Sequence, residues 1–338
     1  MENPLLELQE YENLQEALKK AKGPVQATGT LDSQKVHLMY WLGKDGGFPW
    51  KLVVTYDDQR AREIYDDFRS FTENVWLYPA KDLLFYSADI HGNLMTRQRI
   101  AVWRHLMEEE EGVVVTTLDG LMDHLLPLVF LKQQAVTVEN GQIMDLDEWK
   151  ERLTALGYER TAQVDGMGQF SIRGGIVDIF PLTEEVPVRI ELWDDEVDSI
   201  RSFDAESQRS IENLDEVHIY PACELVLTKE ERDAGIARIL AEAKQVSEKL
   251  RGEMKTEEAY RVKSAADQVA EEAGELGLSA GLDAYLSYFC EERVSLLDYF
   301  GKQDTLVFLD ETPRSIERGM ATETEFSESM KQRLEKGD

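Results

Sequence analysis

The sequence predicts an α/β protein whose parallel sheet is completed by the carboxy-terminal third and interrupted by an inserted α+β domain. Short apolar runs alternate with helical stretches over about the first 130 residues. Between about residues 161 and 203, strands instead follow one another with almost nothing between them. One more apolar strand appears far downstream, at residues 306–309. Because connected elements tend to complete one sheet, this late strand is expected to rejoin the first one, which makes the middle of the chain an insertion.

The amino-terminal part is predicted to start with a helix and to continue as alternating strands and helices. Asn3 and Pro4 favour the start of the helix, and Gly23-Pro24 favours its end. Apolar runs then predict strands at residues 24–29, 52–56, 75–78 and 112–117, with helices at 36–42, 60–71 and 97–107. Such alternation is typical of a parallel sheet that helices cover on both faces.

The middle part is predicted to be an antiparallel sheet with one exposed face, because glycine-containing turns separate its strands. The strands of this sheet are expected at residues 161–164, 169–173, 175–180, 188–193 and 197–203, after a separate strand at 135–138 and a helix at 147–156. The last part adds a strand at 217–221, a long charged helix that Thr228 caps, and the strand at 306–309. We therefore expect residues 1–132 and 219–338 to form the parallel-sheet domain, and residues 133–218 to form the insertion.

The composition limits the possible partners and cofactors. The 67 Asp and Glu residues outnumber the 37 Lys and Arg residues, which gives a net charge of −30 and disfavours sequence-independent binding of nucleic acid. No apolar run approaches the roughly 20 residues that a membrane helix needs. The first residues lack the pattern of a signal peptide, so we expect a cytoplasmic location. The two cysteines and five histidines lack metal-ligand spacing, so we expect neither a metal nor another cofactor.

The loop of residues 26–35 lies where a phosphate-binding loop would lie, after a predicted strand and at the start of a helix. A working loop needs a second glycine followed by Lys and Ser or Thr, so that amides, ammonium and hydroxyl face the phosphates and magnesium. Here no such group follows Gly29, and Val36 follows Lys35. Asp32 would also place a negative charge against a nucleotide. We expect no nucleotide binding at this loop.

Residues 306–311 have the form of a Walker B strand that ends in Asp310 and Glu311. These acids would hold magnesium and orient the attacking water in a hydrolase. An apolar strand that ends in acids is common, and this one lacks a phosphate loop to act with. The sequence therefore predicts a degenerate sheet of the P-loop (RecA) type that serves as a scaffold. No other residues form a recognisable catalytic group, so we expect no catalytic residues and no enzymatic activity.

A small cationic and aromatic group is predicted on the exposed face of the middle sheet. Strand alternation separates Arg173 from Ile172 and places Arg189 on a polar face, with Trp193 nearby. Arginine and tryptophan are the residues that anchor protein interfaces most often. The alternative is that both arginines pair with neighbouring acids, and composition does not decide between the two.

These segments resemble those of a known family. The segment FSIRGGIVDIFP (170–181) with VRIELWDDEVDSIRSFD (188–204) is similar to the sheet module shared by UvrB and the bacterial transcription-repair coupling factor, through which both contact UvrA. Residues 295–300, SLLDYF, and the Walker B-like strand are also similar to family segments. The chain lacks the intact phosphate loop and the aromatic-rich hairpin of UvrB. It therefore resembles the UvrB-like amino-terminal region of the coupling factor, as a fragment of a longer protein.

The resemblance implies a non-catalytic module that binds UvrA and recruits excision repair to stalled RNA polymerase. Arg173, Arg189 and Trp193 would contact UvrA. Later domains of the full-length protein, an ATP-dependent DNA translocase, would cover this face, and RNA polymerase and DNA would be reached only through those domains. The Walker B-like strand departs from UvrB, since Thr312 and Pro313 follow the acids. Two alternatives remain: a divergent nucleotide hydrolase, or a DNA-binding fragment of a UvrB-like protein.

Overall fold

The structure is a computed structural model that describes residues 3–81, 92–276, 282–301 and 304–336. Its strands are β1 (Trp50–Thr55), β2 (Val75–Tyr78), β3 (Gly112–Thr117), β4 (Val136–Glu139), β5 (Glu159–Arg160), β6 (Gln169–Arg173), β7 (Ile176–Ile179), β8 (Val188–Trp193), β9 (Glu196–Phe203), β10 (Ser210–Leu214), β11 (Glu216–Ile219) and β12 (Thr305–Leu309).

The α-helices are α1 (Gln9–Lys20), α2 (Asp32–Asp45), α3 (Asp58–Phe68), α4 (Gly92–Glu108), α5 (Leu118–Leu121), α6 (Leu128–Gln134), α7 (Leu146–Ala155), α8 (Lys229–Gly252), α9 (Thr256–Leu276), α10 (Leu286–Phe289) and α11 (Thr312–Lys336). Short 3-10 turns occupy Pro4–Glu7, Leu282–Tyr285 and Leu296–Tyr299.

The chain divides into two compact units. The first consists of Met1–Lys81, Glu108–Asp123 and Ser295–Thr322, and the second of Asp82–Met107, His124–Val294 and Glu323–Asp338. This division follows compactness and does not test the predicted domain boundaries near residues 132 and 218, which stay a prediction.

The first unit contains a four-stranded parallel sheet with the strand order β12-β1-β3-β2. The central strands β1 and β3 are almost entirely buried, as the apolar runs at residues 52–54 and 113–115 within them indicate. Ile64 and Phe68 of α3 pack against Val53 of β1 and Val113 of β3. Strand β12 pairs in parallel with β1, so the prediction that the carboxy-terminal third completes the parallel sheet is confirmed.

Two predicted strands are wrong. Residues 24–29 form no strand, because Pro24 lacks an amide donor and Gly29 has a φ of 83°, a left-handed conformation outside the strand region. Residues 161–164 also form none: the preceding strand, β5, is only two residues long, and Val164 instead packs against Phe180 and Phe203.

The second unit contains a six-stranded sheet with the order β10-β9-β8-β7-β6-β5. All neighbouring strands are antiparallel except β5 and β6, which are parallel. One face of this sheet belongs to a core that also includes side chains of α7 and of a separate antiparallel pair, β4 and β11. The predicted antiparallel sheet is therefore confirmed, with β10 as an additional edge strand.

Met254 follows α8 with a φ of 63°, a left-handed conformation that favours glycine. Its amide donates to the Arg251 carbonyl and that of Lys255 donates to the Leu250 carbonyl, the hydrogen bonds of a Schellman turn. Because the side chain is 90% exposed, removing it costs little packing. We expect Met254→Gly to raise the free energy of unfolding by about 0.5–1 kcal/mol, measured by urea unfolding.

A suitable control is Lys255→Gly. Lys255 is not among the positive-φ residues of the described chain, so glycine there only increases the freedom of the unfolded state and is expected to lower stability. Equal effects of the two substitutions would contradict the assignment of strain to Met254.

Candidate functional site

The face of the six-stranded sheet opposite its core carries a row of polar side chains. Pairing of the strands places Ser171 beside Asp178, Asp178 beside Arg189, and Arg189 beside Arg201. Val177 and Ile190 belong to the core on the other side of the sheet. Since side chains alternate along a strand, Ser171, Asp178, Arg189 and Arg201 all lie on the face opposite that core.

Asp178 is the centre of this row, and its carboxylate is 0% exposed. Arg189 donates to it twice, from Nε to Oδ1 at 2.7 Å and from Nη2 to Oδ2 at 2.9 Å. Arg173 donates from Nη2 to Oδ2 at 2.7 Å. Both arginines predicted from the sequence therefore pair with one acid, which was the alternative that composition left open.

Arg189 has further support beneath and beside it. Its guanidinium lies 4.5 Å from the centre of the Phe203 ring, and Nη2 donates to Oε1 of Gln208 at 3.2 Å. Hydrogen bonding to Asp178 raises the pKa of Arg189 further above its ordinary value, so this side chain remains a cation at physiological pH. These contacts leave the Arg189 side chain only 16% exposed, against 47% for Arg173.

Trp193 ends β8 and precedes the turn at Asp194, whose φ is 60°. The residue is 81% exposed, and its strand partner in the hairpin is Glu196. Glu191, two residues earlier, forms an ion pair with Arg201 on the neighbouring strand. The hairpin thus holds a large aromatic side chain in solvent at one end of a row of paired charges.

The predicted remnant of a nucleotide site lies in the first unit. Gly29 belongs to the loop before α2. A Cβ added to Gly29 would meet nothing within 4 Å, so no other part of the described chain packs closely against this position. Asp310 follows β12 and its side chain is almost fully buried. The carboxylate accepts hydrogen bonds from Thr55 Oγ1 at 3.1 Å, Arg60 Nε at 3.1 Å and Lys35 Nζ at 3.0 Å.

Lys35 lies among three acids. Its Nζ is 2.6 Å from Oε1 of Glu311, 3.0 Å from Oδ1 of Asp310 and 3.1 Å from Oδ1 of Asp32. Burial lowers the pKa of Lys35, but hydrogen bonds to these acids outweigh burial and raise it above its usual value. Glu311 has a φ of 46°, so the backbone that presents this acid is strained.

Three side chains therefore donate hydrogen bonds to the Asp310 carboxylate, the group that would hold magnesium in a hydrolase. Lys35 and Arg60 supply the positive charge, and Thr55 supplies the hydroxyl, so the carboxylate oxygens already have their partners. Among residues 3–81, 92–276, 282–301 and 304–336, no group of three or more His, Cys, Asp or Glu residues is arranged to hold a metal. Within the same ranges, no helix is both long and apolar enough to cross a membrane.

The sequence predicted Arg173, Arg189 and Trp193 as contact residues, and Gly29, Lys35, Asp310 and Glu311 as a remnant of a nucleotide site. It did not single out Asp178 or Arg60, which pair with some of these residues. The role of Asp178 could have been predicted, because it is the one acid in the strand IVDI and strand alternation places it on the face of the arginines. The pairing of Arg60 with Asp310 could not, since the two residues are 250 positions apart in the chain.

The chain is similar to known repair proteins. Residues 136–225 match the model of the UvrB interaction domain. The transcription-repair-coupling factor of Bacillus subtilis is 36% identical over 288 residues, which are 85% of this chain and 24% of that protein. That of Staphylococcus haemolyticus is 31% identical over 296 residues, with the same shares. The chain spans about a quarter of the length of these relatives. The resemblance noted in the sequence is confirmed.

Proposed function

Because the chain is homologous to transcription-repair-coupling factors and matches the UvrB interaction domain, we propose that it is a non-catalytic module that binds UvrA. The contact lies on the face of the six-stranded sheet opposite its core, at Arg173, Arg189 and Trp193. In this role the module recruits nucleotide excision repair to RNA polymerase that has stalled at a DNA lesion. RNA polymerase and DNA are reached only through the parts of the longer protein that this chain does not include.

One observation carries the proposal. The match to the interaction domain, residues 136–225, contains the exposed Trp193 together with both arginines of the sheet. Tryptophan and arginine are among the residues most enriched where protein interfaces are anchored. The acidic composition of the chain, with a net charge of −30, favours a protein partner over the phosphate backbone of nucleic acid.

Calorimetric titration with purified UvrA tests the proposal. The wild-type chain is expected to bind, and the Arg173→Ala, Arg189→Ala double variant, checked for folding by thermal melting, is expected to lose the binding. Unchanged binding by the variant would mean that UvrA is the partner but that it binds at another site on the chain. No binding by the wild-type chain would contradict the proposal.

The Bacillus subtilis relative is about three and a half times as long as this chain, which supports a second element of the proposal. Later domains of such a longer protein cover the sheet face and control access to UvrA. A full-length relative is therefore expected to bind UvrA more weakly than its own region homologous to this chain. Equal affinities of the two would contradict the autoregulatory role.

The remnant of the nucleotide site is proposed to be inactive, because Lys35 and Arg60 occupy the contacts of Asp310. We expect MgATP to leave the midpoint of thermal unfolding unchanged. A hydrolase that uses Asp310 and Glu311 would instead gain about 2.7 kcal/mol of stability at a ligand concentration 100 times its dissociation constant. A rise of the midpoint with MgATP, absent with magnesium chloride alone, would contradict the proposal.

A further inference from the structure

We infer that Asp178 is a positioning residue that fixes the two sheet arginines, and that the resulting surface fits a partner element that offers a carboxylate to Arg173 and an apolar pocket to Trp193. The inference rests on the proposed binding of UvrA and goes beyond it, because it divides the roles among the residues of the face. Within the contact, Arg189 supports the surface from its inner side, while Arg173 and Trp193 present the more exposed groups.

The geometry around Asp178 carries the first step. A fully buried carboxylate is costly unless charged hydrogen bonds compensate it, and here three donor atoms of Arg173 and Arg189 do so at 2.7 to 2.9 Å. The paired contact from Arg189 Nε and Nη2 is bidentate, which fixes the plane of that guanidinium. Asp178 therefore sets the positions of both arginines at once.

Exposure separates the two arginines. The Arg189 guanidinium lies over the Phe203 ring and donates a hydrogen bond to Gln208, so its contacts are mostly with residues of the chain itself. Arg173 reaches Asp178 through Nη2 and still has a half-exposed side chain, so other N–H groups of its planar fork face outward. A partner carboxylate is thus expected to meet Arg173.

The ion pairs of the face define the chemistry of the partner. Arg189 and Arg201 pair with Asp178 and Glu191, whereas Arg173 shares Asp178 with Arg189 and keeps a half-exposed side chain. A carboxylate of the partner is therefore expected to pair with Arg173. Trp193 adds a large exposed apolar surface on the same face of the sheet, which calls for an apolar pocket on the partner.

Two substitutions with the same change of charge test the role of Asp178. Asp178→Asn and Glu191→Gln each make the face more positive by one unit, but only the first removes the acid that holds Arg173 and Arg189. Calorimetry with UvrA is expected to give a dissociation constant roughly tenfold or more higher for Asp178→Asn, from the loss of charged hydrogen bonds. For Glu191→Gln the constant is expected to stay equal or to fall. If charge alone governs binding, both variants bind at least as tightly as the wild type, and the inference is overturned.

Arg173→Lys is a second test of the inference if Asp178→Asn does not fold. Arg173 is half exposed, and its replacement leaves the Asp178–Arg189 pair intact. Lysine retains the charge and loses the planar fork. Weaker binding by roughly tenfold supports the inference, and binding equal to the wild type overturns it.

Arginine Nε–H signals in nuclear magnetic resonance spectra give a readout without UvrA. Slow hydrogen exchange of Arg189 Nε–H is expected in the wild type and in Glu191→Gln, and fast exchange in Asp178→Asn. Fast exchange in the wild type would overturn the positioning role. Slow exchange together with no binding of UvrA by the wild type would overturn the proposed function while leaving the arrangement of the arginines intact.

Discussion

Replacing Trp193 by alanine is expected to weaken binding to UvrA by roughly 30-fold to 1,000-fold while leaving the stability of the chain unchanged. Tryptophan side chains that anchor interfaces contribute about 2–4 kcal/mol when truncated, which corresponds to this range of dissociation constants. Because Trp193 is mostly exposed in the free chain, its indole adds little to the core, and the loss appears only in the complex. Calorimetric titration with UvrA measures the first quantity, and urea unfolding measures the second.

Tyr260→Ala is the matched control, since Tyr260 is also a largely exposed aromatic residue but belongs to α9, outside the sheet. Its dissociation constant is expected to equal that of the wild type. Wild-type affinity of the Trp193 variant would show that the tryptophan is not an anchor. Equal losses in both variants would point to a general effect of removing exposed aromatic area.

The main sheet was predictable because burial on both faces leaves a strong trace in sequence. Strands β1 and β3 each contain a short apolar run, at residues 52–54 and 113–115, as expected of central strands of a parallel sheet. Strand β12 was recognised by the same pattern, and its distance from the others in the chain indicated an insertion. In the second unit, β8 was predicted with its exact bounds, since Val188 and Ile190 alternate with polar residues.

The errors occurred where few contacts define the structure. Strand β10, SIENL, is a partly charged edge strand with almost no burial, so neither apolar alternation nor an apolar run identified it. The segment 24–29 has an apolar composition, but a strand needs a partner to hydrogen-bond with, and a single sequence does not reveal whether one is present.

For the candidate sites, local alternation predicted which side chains lie outward, and the pairing between distant residues escaped it. Arg173 and Trp193 follow from the strand period. The contacts of Arg60 with Asp310 and of Lys35 with Glu311 join opposite ends of the chain, and only the parallel pairing of β12 with β1 brings them together. The sequence therefore predicted a degenerate phosphate loop, but it did not predict that Arg60 and Lys35 pair with the acids at the end of β12.

The contacts of Asp310 lead to the second large expected effect, which is on the stability of the chain. Asp310→Ala is expected to lower the free energy of unfolding by about 3–5 kcal/mol, because removing one partner of a buried ion pair leaves the others uncompensated. Lys35 and Arg60 are both largely buried and both bond Asp310, and Thr55 loses its acceptor as well. Urea unfolding measures this loss, provided that the m-value, the dependence of the free energy of unfolding on urea concentration, is the same for both proteins.

Glu311→Ala separates this buried network from the exposed charge beside it. Glu311 pairs only with Lys35 among the ion pairs of the described residues, and its side chain is partly exposed, so its removal is expected to cost about 0–1 kcal/mol. A loss for Asp310→Ala as small as that for Glu311→Ala would mean that Lys35 and Arg60 find solvent or other acids when Asp310 is gone. A large loss for Asp310→Ala alone, with binding of UvrA by the remaining folded protein unchanged, would mean that an acid of the Walker B type now stabilises the sheet through built-in cations instead of through a bound nucleotide and metal.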